Sequence, residues 1–230
     1  SGGAHMKYLH LVWAALMRRR TRTIFTLLSV IAAFLLFGLL DSVRSAFSAA
    51  GQSIAGLDRL VIVSKVSFTL ELPQSLRARI ASTPGVADVT YANWFGGVYQ
   101  DPKNFFPNMA VGERFFEVYP EYELPPDQLE AFRRTRTGAV VGEALAQRFG
   151  WKIGDRIPLE ATIYPQKDGS NTWPLDLVGI FTIANPRLKG QEMQMFFNWN
   201  YFDEARQFSS GNIGWDTARV SDPAQSDRVA

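Results

Sequence analysis

T-I-F-T-L-L-S-V-I-A-A-F-L-L-F-G-L-L, residues Thr23 to Leu40, contains no charge and is nearly all apolar. Eighteen helical residues rise roughly 27 Å, close to the ~30 Å hydrocarbon thickness of a bilayer. A helix satisfies its backbone hydrogen bonds internally, so it can exist there. Lys7, Arg18, Arg19, Arg20 and Arg22 precede the run without a single Asp or Glu, and every acidic residue of the chain follows it. This asymmetry predicts one crossing, with the N-terminus in the cytoplasm and a large domain on the other side.

Two other readings of the run are weaker. A buried helix of a soluble domain would not need the arginine cluster or so long an uninterrupted stretch. A cleaved signal peptide would use the small residues Ser45, Ala46, Ser48, Ala49 and Ala50, but the run exceeds the ~7–15 residues of a signal core. Val43, Phe47, Ala50, Ile54 and Leu57 recur at helical spacing. They predict an amphipathic stalk over residues 43–56, beyond a crossing at 23–42.

Residues 1–6 read as a cleavage scar left by expression, with Met6 as the natural start. Tyr8 to Met17 is apolar and too short to cross. It suits a helix in the cytoplasmic interface, Trp13 at headgroup level and the arginines reaching lipid phosphates, or else an N-terminal extension of the crossing helix. The anchor supplies the basic balance. Outside residues 7–22, the remaining 19 positive and 22 negative charges leave a net of −3. A nucleic-acid partner would need a basic face across the outer domain, so none is expected. The cluster instead suits anionic membrane lipid.

There is no cysteine, which excludes disulfides and thiolate chemistry. With His10 as the one natural histidine, a usual zinc site is not expected. No cofactor is expected either. The chain contains no Gly-Lys dipeptide, G-x-S-x-G, H-E-x-x-H or EF-hand loop, so no ATPase or other catalytic set is read from it.

Residues 57–230 alternate strand and helix patterns irregularly, which predicts an α+β domain. Leu57–Val63, Pro73–Ala81 and Val86–Tyr91 read as strand, helix and strand. Trp94–Tyr99 and Phe105–Val111 read as strands, and a helix follows Pro126 with Asp127 as its capping acceptor. Gly138 to Leu159 is G-A-V-V-G-E-A-L-A-Q-R-F-G-W-K-I-G-D-R-I-P-L. It reads as strand, helix from Gly142, left-handed stop at Gly150, turn at Gly154-Asp155, and strand. Glu143 complements the helix dipole and needs no catalytic role. Lys167 to Ser170 forms a hairpin turn before a long strand, Trp173–Ile183. Met193–Asn198 and Trp215–Val220 are strands, Tyr201–Phe208 a helix, and Pro223 opens a last one. Trp94, Phe95, Tyr99, Phe105 and Phe106 either fill the core or form a substrate or partner face.

The Arg-rich elbow and crossing helix (Arg18 to Leu40), P-G-V at Pro84 to Val86, the V-V-G-E-A-L-A-Q-R-F-G-W-K-I-G-D-R-I-P-L block and L-D-L-V-G-I-F (Leu175 to Phe181) together resemble the N-terminal half of a MacB/FtsX/LolC-type ABC transporter permease. The resemblance covers nearly everything from Tyr8 onward. It implies a two-lobed periplasmic domain of the MacB type. It also implies the bacterial inner membrane, a second permease copy in a homodimer or heterodimer, and a separate cytoplasmic ABC ATPase. The family carries ATP-driven movement to the outer domain, acting on a periplasmic substrate or adaptor. Further crossing helices would follow Ala230, so the chain is expected to be a fragment. The alternative is a single-pass sensor or ligand-binding ectodomain.

Overall fold

The computed structural model describes residues 20–55, 59–65 and 70–222. The chain divides into two compact units, residues 1–56 and 57–230. Tyr8 to Met17 and the helix expected after Pro223 lie outside the described residues.

The described part of the first unit is one helix, α1 (Arg20–Ala55). Its Arg20–Ser42 part is long and apolar enough to cross a membrane, with a mean hydropathy of 2.5 over its 18-residue apolar window. Three hydroxyls there turn back onto the helix. Thr26 donates to the Arg22 carbonyl at 2.9 Å, Ser29 to Phe25 at 2.9 Å and Ser42 to Gly38 at 2.8 Å. Such back-bonding satisfies these three donors within the helix.

The second unit contains β1 (Arg59–Ile62), β2 (Leu72–Pro73), α2 (Leu76–Ala81), β3 (Val86–Trp94), β4 (Asn108–Val111) and α3 (Phe115–Val118). Then come α4 (Pro126–Arg134), β5 (Gly138–Gly142), α5 (Glu143–Phe149), β6 (Arg156–Glu160) and β7 (Thr172–Phe181). A 3-10 turn (Pro186–Met193), β8 (Met195–Asn198), α6 (Trp199–Ala205), β9 (Asn212–Ile213) and β10 (Trp215–Val220) complete it. Eight strands form one mixed sheet in the order β1-β10-β3-β4-β8-β5-β7-β6, and β2 pairs with β9 apart from it. The α+β class expected from the irregular alternation is the one observed. The two lobes expected do not separate as units: residues 57–230 form one compact unit.

The β1-α2-β3 unit is split. β1 and β3 both pair antiparallel with β10, which arrives more than a hundred residues later and lies between them. The sheet also curls. β6 is its last strand, yet Val98 and Glu160 exchange backbone hydrogen bonds of 2.9 and 2.8 Å just beyond the end of β3. Both faces are covered, as the period-2 alternation of strands demands. Ala139, Val141, Met195 and Phe197 join one core, while Val140 and Phe196 join the other. In β7 a bulge opposite Ala139 and Val140 changes the phase. Trp173, Leu175 and Leu177 face the first core, but Phe181 faces the second. One inserted residue lets a single strand serve both.

Several elements differ from the sequence reading. The helix expected from Pro73 starts at Leu76, because Pro73 pairs with Asn212 in the small sheet. α4 begins as expected, but Pro125 holds the capping position and no side chain caps it, so Asp127 contributes charge alone. The helix expected at Tyr201 begins at Trp199, capped by the Asn198 side chain. Gly150 does take the left-handed stop, at φ 69°.

Candidate functional site

β3 ends at Trp94, and the chain does not continue as the strand expected to Tyr99. Gly96 adopts φ +68°, a conformation that breaks a strand. Asn108, wholly buried, then clamps both ends of the loop. Its side-chain oxygen accepts from the Gly97 amide at 2.8 Å, and its amide nitrogen donates to the carbonyls of Gly97 and Phe106, each at 2.8 Å. The strand expected from Phe105 accordingly starts only at Asn108, just past Pro107.

This clamp sorts the aromatic run. Phe95 is buried against Trp173, Phe197 and Phe202, with ring centroids 5.3, 5.1 and 6.1 Å away. Phe106 is buried beside Phe149 and Trp151, both at 5.8 Å. Neither can belong to an exposed face, which corrects the assignment of these two residues to a substrate or partner surface. Tyr99 is half-buried and packs edge-on against Phe149 and Trp151 at 5.3 and 4.9 Å. Trp94 and Phe105 point outward. They are 40% and 49% exposed, with ring centroids 6.2 Å apart. Their neighbours in sequence face inward, the ordinary result of extended backbone.

The exposed pair has a neighbour that the sequence did not suggest. The Thr162 hydroxyl donates to the Gly96 carbonyl at 2.9 Å, which draws the loop carrying Ile163, 49% exposed, to the same segment. The patch lies at a defined end of the outer unit. Arg59 pairs with Arg219 where the chain enters the sheet, whereas Trp94 lies past the Ala92–Trp215 pair at the opposite end.

Below the patch is a buried polar network. Asn93 accepts from the Trp199 indole at 2.7 Å and donates to Glu71 at 3.0 Å. Glu71 also accepts from the Tyr164 hydroxyl at 3.0 Å and from Arg206 at 3.2 Å. Burial, reinforced by the Glu71 charge, pushes the Tyr164 hydroxyl up to about 12, so it stays protonated. One oxygen of Glu71 thus gathers three donors from three parts of the chain, which ties those parts together. Among the described residues no group of three or more His, Asp or Glu could hold a metal ion. What the geometry shows is an exposed apolar pair, Trp94 and Phe105, of which Trp94 is next in sequence to the hydrogen-bonded Asn93.

Of the residues expected to meet lipid or the ATPase, Trp13, Arg18 and Arg19 lie outside the described residues. Arg20 and Arg22 are exposed in the first turn of α1.

A match to the MacB-like periplasmic core domain covers residues 23–230. The chain belongs to the MacB-like periplasmic core domain family. This match takes in both the apolar helix and the outer unit. Among solved structures, the periplasmic region of MacB from Actinobacillus actinomycetemcomitans is similar, with a TM-score of 0.53 at 15% identity over 74% of this chain and 78% of that one. The extracellular domain of YknZ, a noncanonic ABC-type transporter from Gram-positive bacteria, gives a TM-score of 0.50 at 10% identity over 75% and 87%. At such identities the likeness is one of fold. No curated protein matches by sequence.

The two kinds of aromatic residue separate in a stability measurement. Phe95→Ala is expected to cost about 3–5 kcal/mol, the range for a buried Phe. Trp94→Ala and Phe105→Ala are expected to stay within about 1 kcal/mol, because surface positions away from special contacts tolerate change. Denaturant unfolding of the three variants checks this.

Proposed function

We propose that this chain is the first crossing helix and outer domain of an ABC transporter permease subunit, and that it carries movement driven by a partner ATPase to the outer domain. The supporting observation is that one family match runs through the membrane-length helix into the α+β domain. On this reading residues 7–22 lie at the cytoplasmic face of a bacterial inner membrane, 23–42 cross it, 43–56 form a stalk and 57–230 lie outside. Residues 1–6 are left from expression. The basic segment, with Trp13, Arg18, Arg19, Arg20 and Arg22, meets headgroups and the ATPase. A second permease copy, identical or related, completes the assembly. Trp94 and Phe105 are the contact surface for a periplasmic adaptor or substrate, an apolar pair at the end of the domain away from chain entry.

The absence of cysteine makes the orientation directly testable. Lys103→Cys, in the exposed loop beside Phe105, is expected to react with a membrane-impermeant maleimide in intact spheroplasts. Lys7→Cys is expected to react only after lysis. Labelling of both, or of Lys7→Cys alone, would exclude the orientation. Co-purification of the full-length protein with a cytoplasmic ATPase tests the transporter role. Nucleotide trapping should then change labelling or cross-linking at Lys103→Cys. A protein that isolates without any ATPase would overturn the proposal.

A further inference from the structure

Asp216 is the one carboxylate among the described residues whose two oxygens are both buried without a hydrogen-bond partner. It sits on β10, directly between Ile62 of β1 and Tyr91 of β3, and its exposure is 0%. An ionised carboxylate in such a place costs several kcal/mol unless it is paired. A cation whose charge acts on Asp216 is present and directed elsewhere. Arg77 of α2 lies over the Tyr91 ring, 4.7 Å from its centroid.

Other charges near this part of the sheet are committed to partners or turned outward. Arg59 of β1 holds Glu121 through two bonds of 2.8 Å and also donates to the Val118 carbonyl. Asp88 of β3 is paired with Arg114, and Glu117 of α3 with Arg133. Arg219 of β10 reaches the Glu117 carbonyl, and Arg79 of α2 is exposed. Asp203 and Glu113 act on the Tyr91 hydroxyl, not on Asp216. Arg77 is therefore the charge that acts on Asp216.

We propose that Asp216, Arg77 and Tyr91 form a proton-operated switch between α2 and the sheet. With Asp216 protonated, Arg77 rests on Tyr91. When Asp216 releases its proton to solvent, the guanidinium leaves the ring and pairs with the carboxylate, and α2 shifts with it. The two arrangements exchange a cation–π contact for a charge pair, and the proton decides between them. Burial pushes the Asp216 carboxyl up to about 6, against the attraction of Arg77. Because the folded-state value is raised, the protonated fold is favoured at low pH. That advantage is lost as pH rises toward about 6 and stays lost above it. On the reading proposed above, the switch would follow the pH of the medium; the chemistry itself does not depend on that reading.

Isotope-edited infrared titration of the 230-residue chain, labelled with 13C-aspartate and held in detergent micelles, tests the switch. A protonated-carboxyl band is expected at about pH 5, disappearing near pH 6, and is expected to be missing in Asp216→Asn. Arg77→Gln, at a half-buried helix position that should not disturb folding, is expected to move the midpoint up by about one unit or more. Hydrogen exchange of the α2 amides, corrected for intrinsic rate, is expected to change across the same midpoint in the wild type and to be flat in Asp216→Asn. A missing band at pH 5, a band that persists in Asp216→Asn, an unmoved midpoint in Arg77→Gln, or α2 exchange that ignores Asp216 would each overturn the proposal.

Discussion

Replacing Gly142 with alanine is expected to lower the melting temperature of the outer domain by about 6–12 °C, although Gly→Ala in an ordinary strand stabilises. Gly142 ends β5 and precedes α5, and its backbone is extended at φ −70°, which alanine adopts without strain. The obstacle is the neighbour. A Cβ at this position would run into the backbone carbonyl, Cα and carbonyl carbon of Glu192. Backbone cannot rotate away as a side chain can. The segment is also pinned: the Gly142 amide donates to the Gln194 carbonyl at 3.0 Å, and the Glu192 carboxylate accepts from the Ile183 amide and from Lys189, each at 2.7 Å. Overpacking of this kind costs about 3 kcal/mol. At about 2–4 °C per kcal/mol for a domain of this size, that gives the stated shift. Calorimetry or thermal denaturation of Gly142→Ala beside Gly190→Ala checks it, since Gly190 has open space around it.

Arg206→Met is expected to destabilise the domain by about 3–5 kcal/mol, the cost of leaving buried charges without their partner. The Arg206 side chain is wholly buried. Its nitrogens donate to Asp203 at 3.1 Å, to Glu71 at 3.2 Å and to the Asn212 carbonyl at 2.6 Å. Its guanidinium lies over the Phe202 ring at 4.6 Å. It therefore joins α6 to β9 of the small sheet and to Glu71, the residue before β2. Methionine fills much of the volume but leaves Glu71 facing the Tyr164 and Asn93 donors alone, with no cation. Adding Glu71→Gln to Arg206→Met is expected to recover part of the loss. Urea unfolding of the single and double variants measures the coupling, and strict additivity would contradict this account.

Much of the local structure was legible in the chain. The uncharged run Thr23–Leu40 marked a membrane-length helix, because a period-free apolar stretch of that length has few other uses. G-E-A-L-A-Q-R-F-G marked α5 and its stop at Gly150, because left-handed backbone selects glycine. The strand pattern of Trp215–Val220 has the bounds of β10 itself. These signals are local, carried by residues a few positions apart.

The aromatic segment was legible only as a composition. Trp94, Phe95, Phe105 and Phe106 look alike in sequence, and their sorting into two exposed and two buried residues depends on Asn108, which nothing marks as a clamp. The loop carrying Ile163 is tied to this segment by the Thr162 bond to Gly96, 66 residues away. The buried charges were hidden for the same reason. Arg206 and Glu71 are 135 residues apart, and a buried arginine is spelled like an exposed one.

By itself, then, the amino-acid order determined the membrane-length helix, the α+β class and the positions of most turns, since each rests on backbone preference and hydrophobic period within one element. Tertiary structure alone decided that β10 inserts between β1 and β3, that β7 changes face at its bulge, and that Asp216 is buried opposite Tyr91. Each depends on which distant strands pair, and pairing is set by packing both faces of the sheet at once.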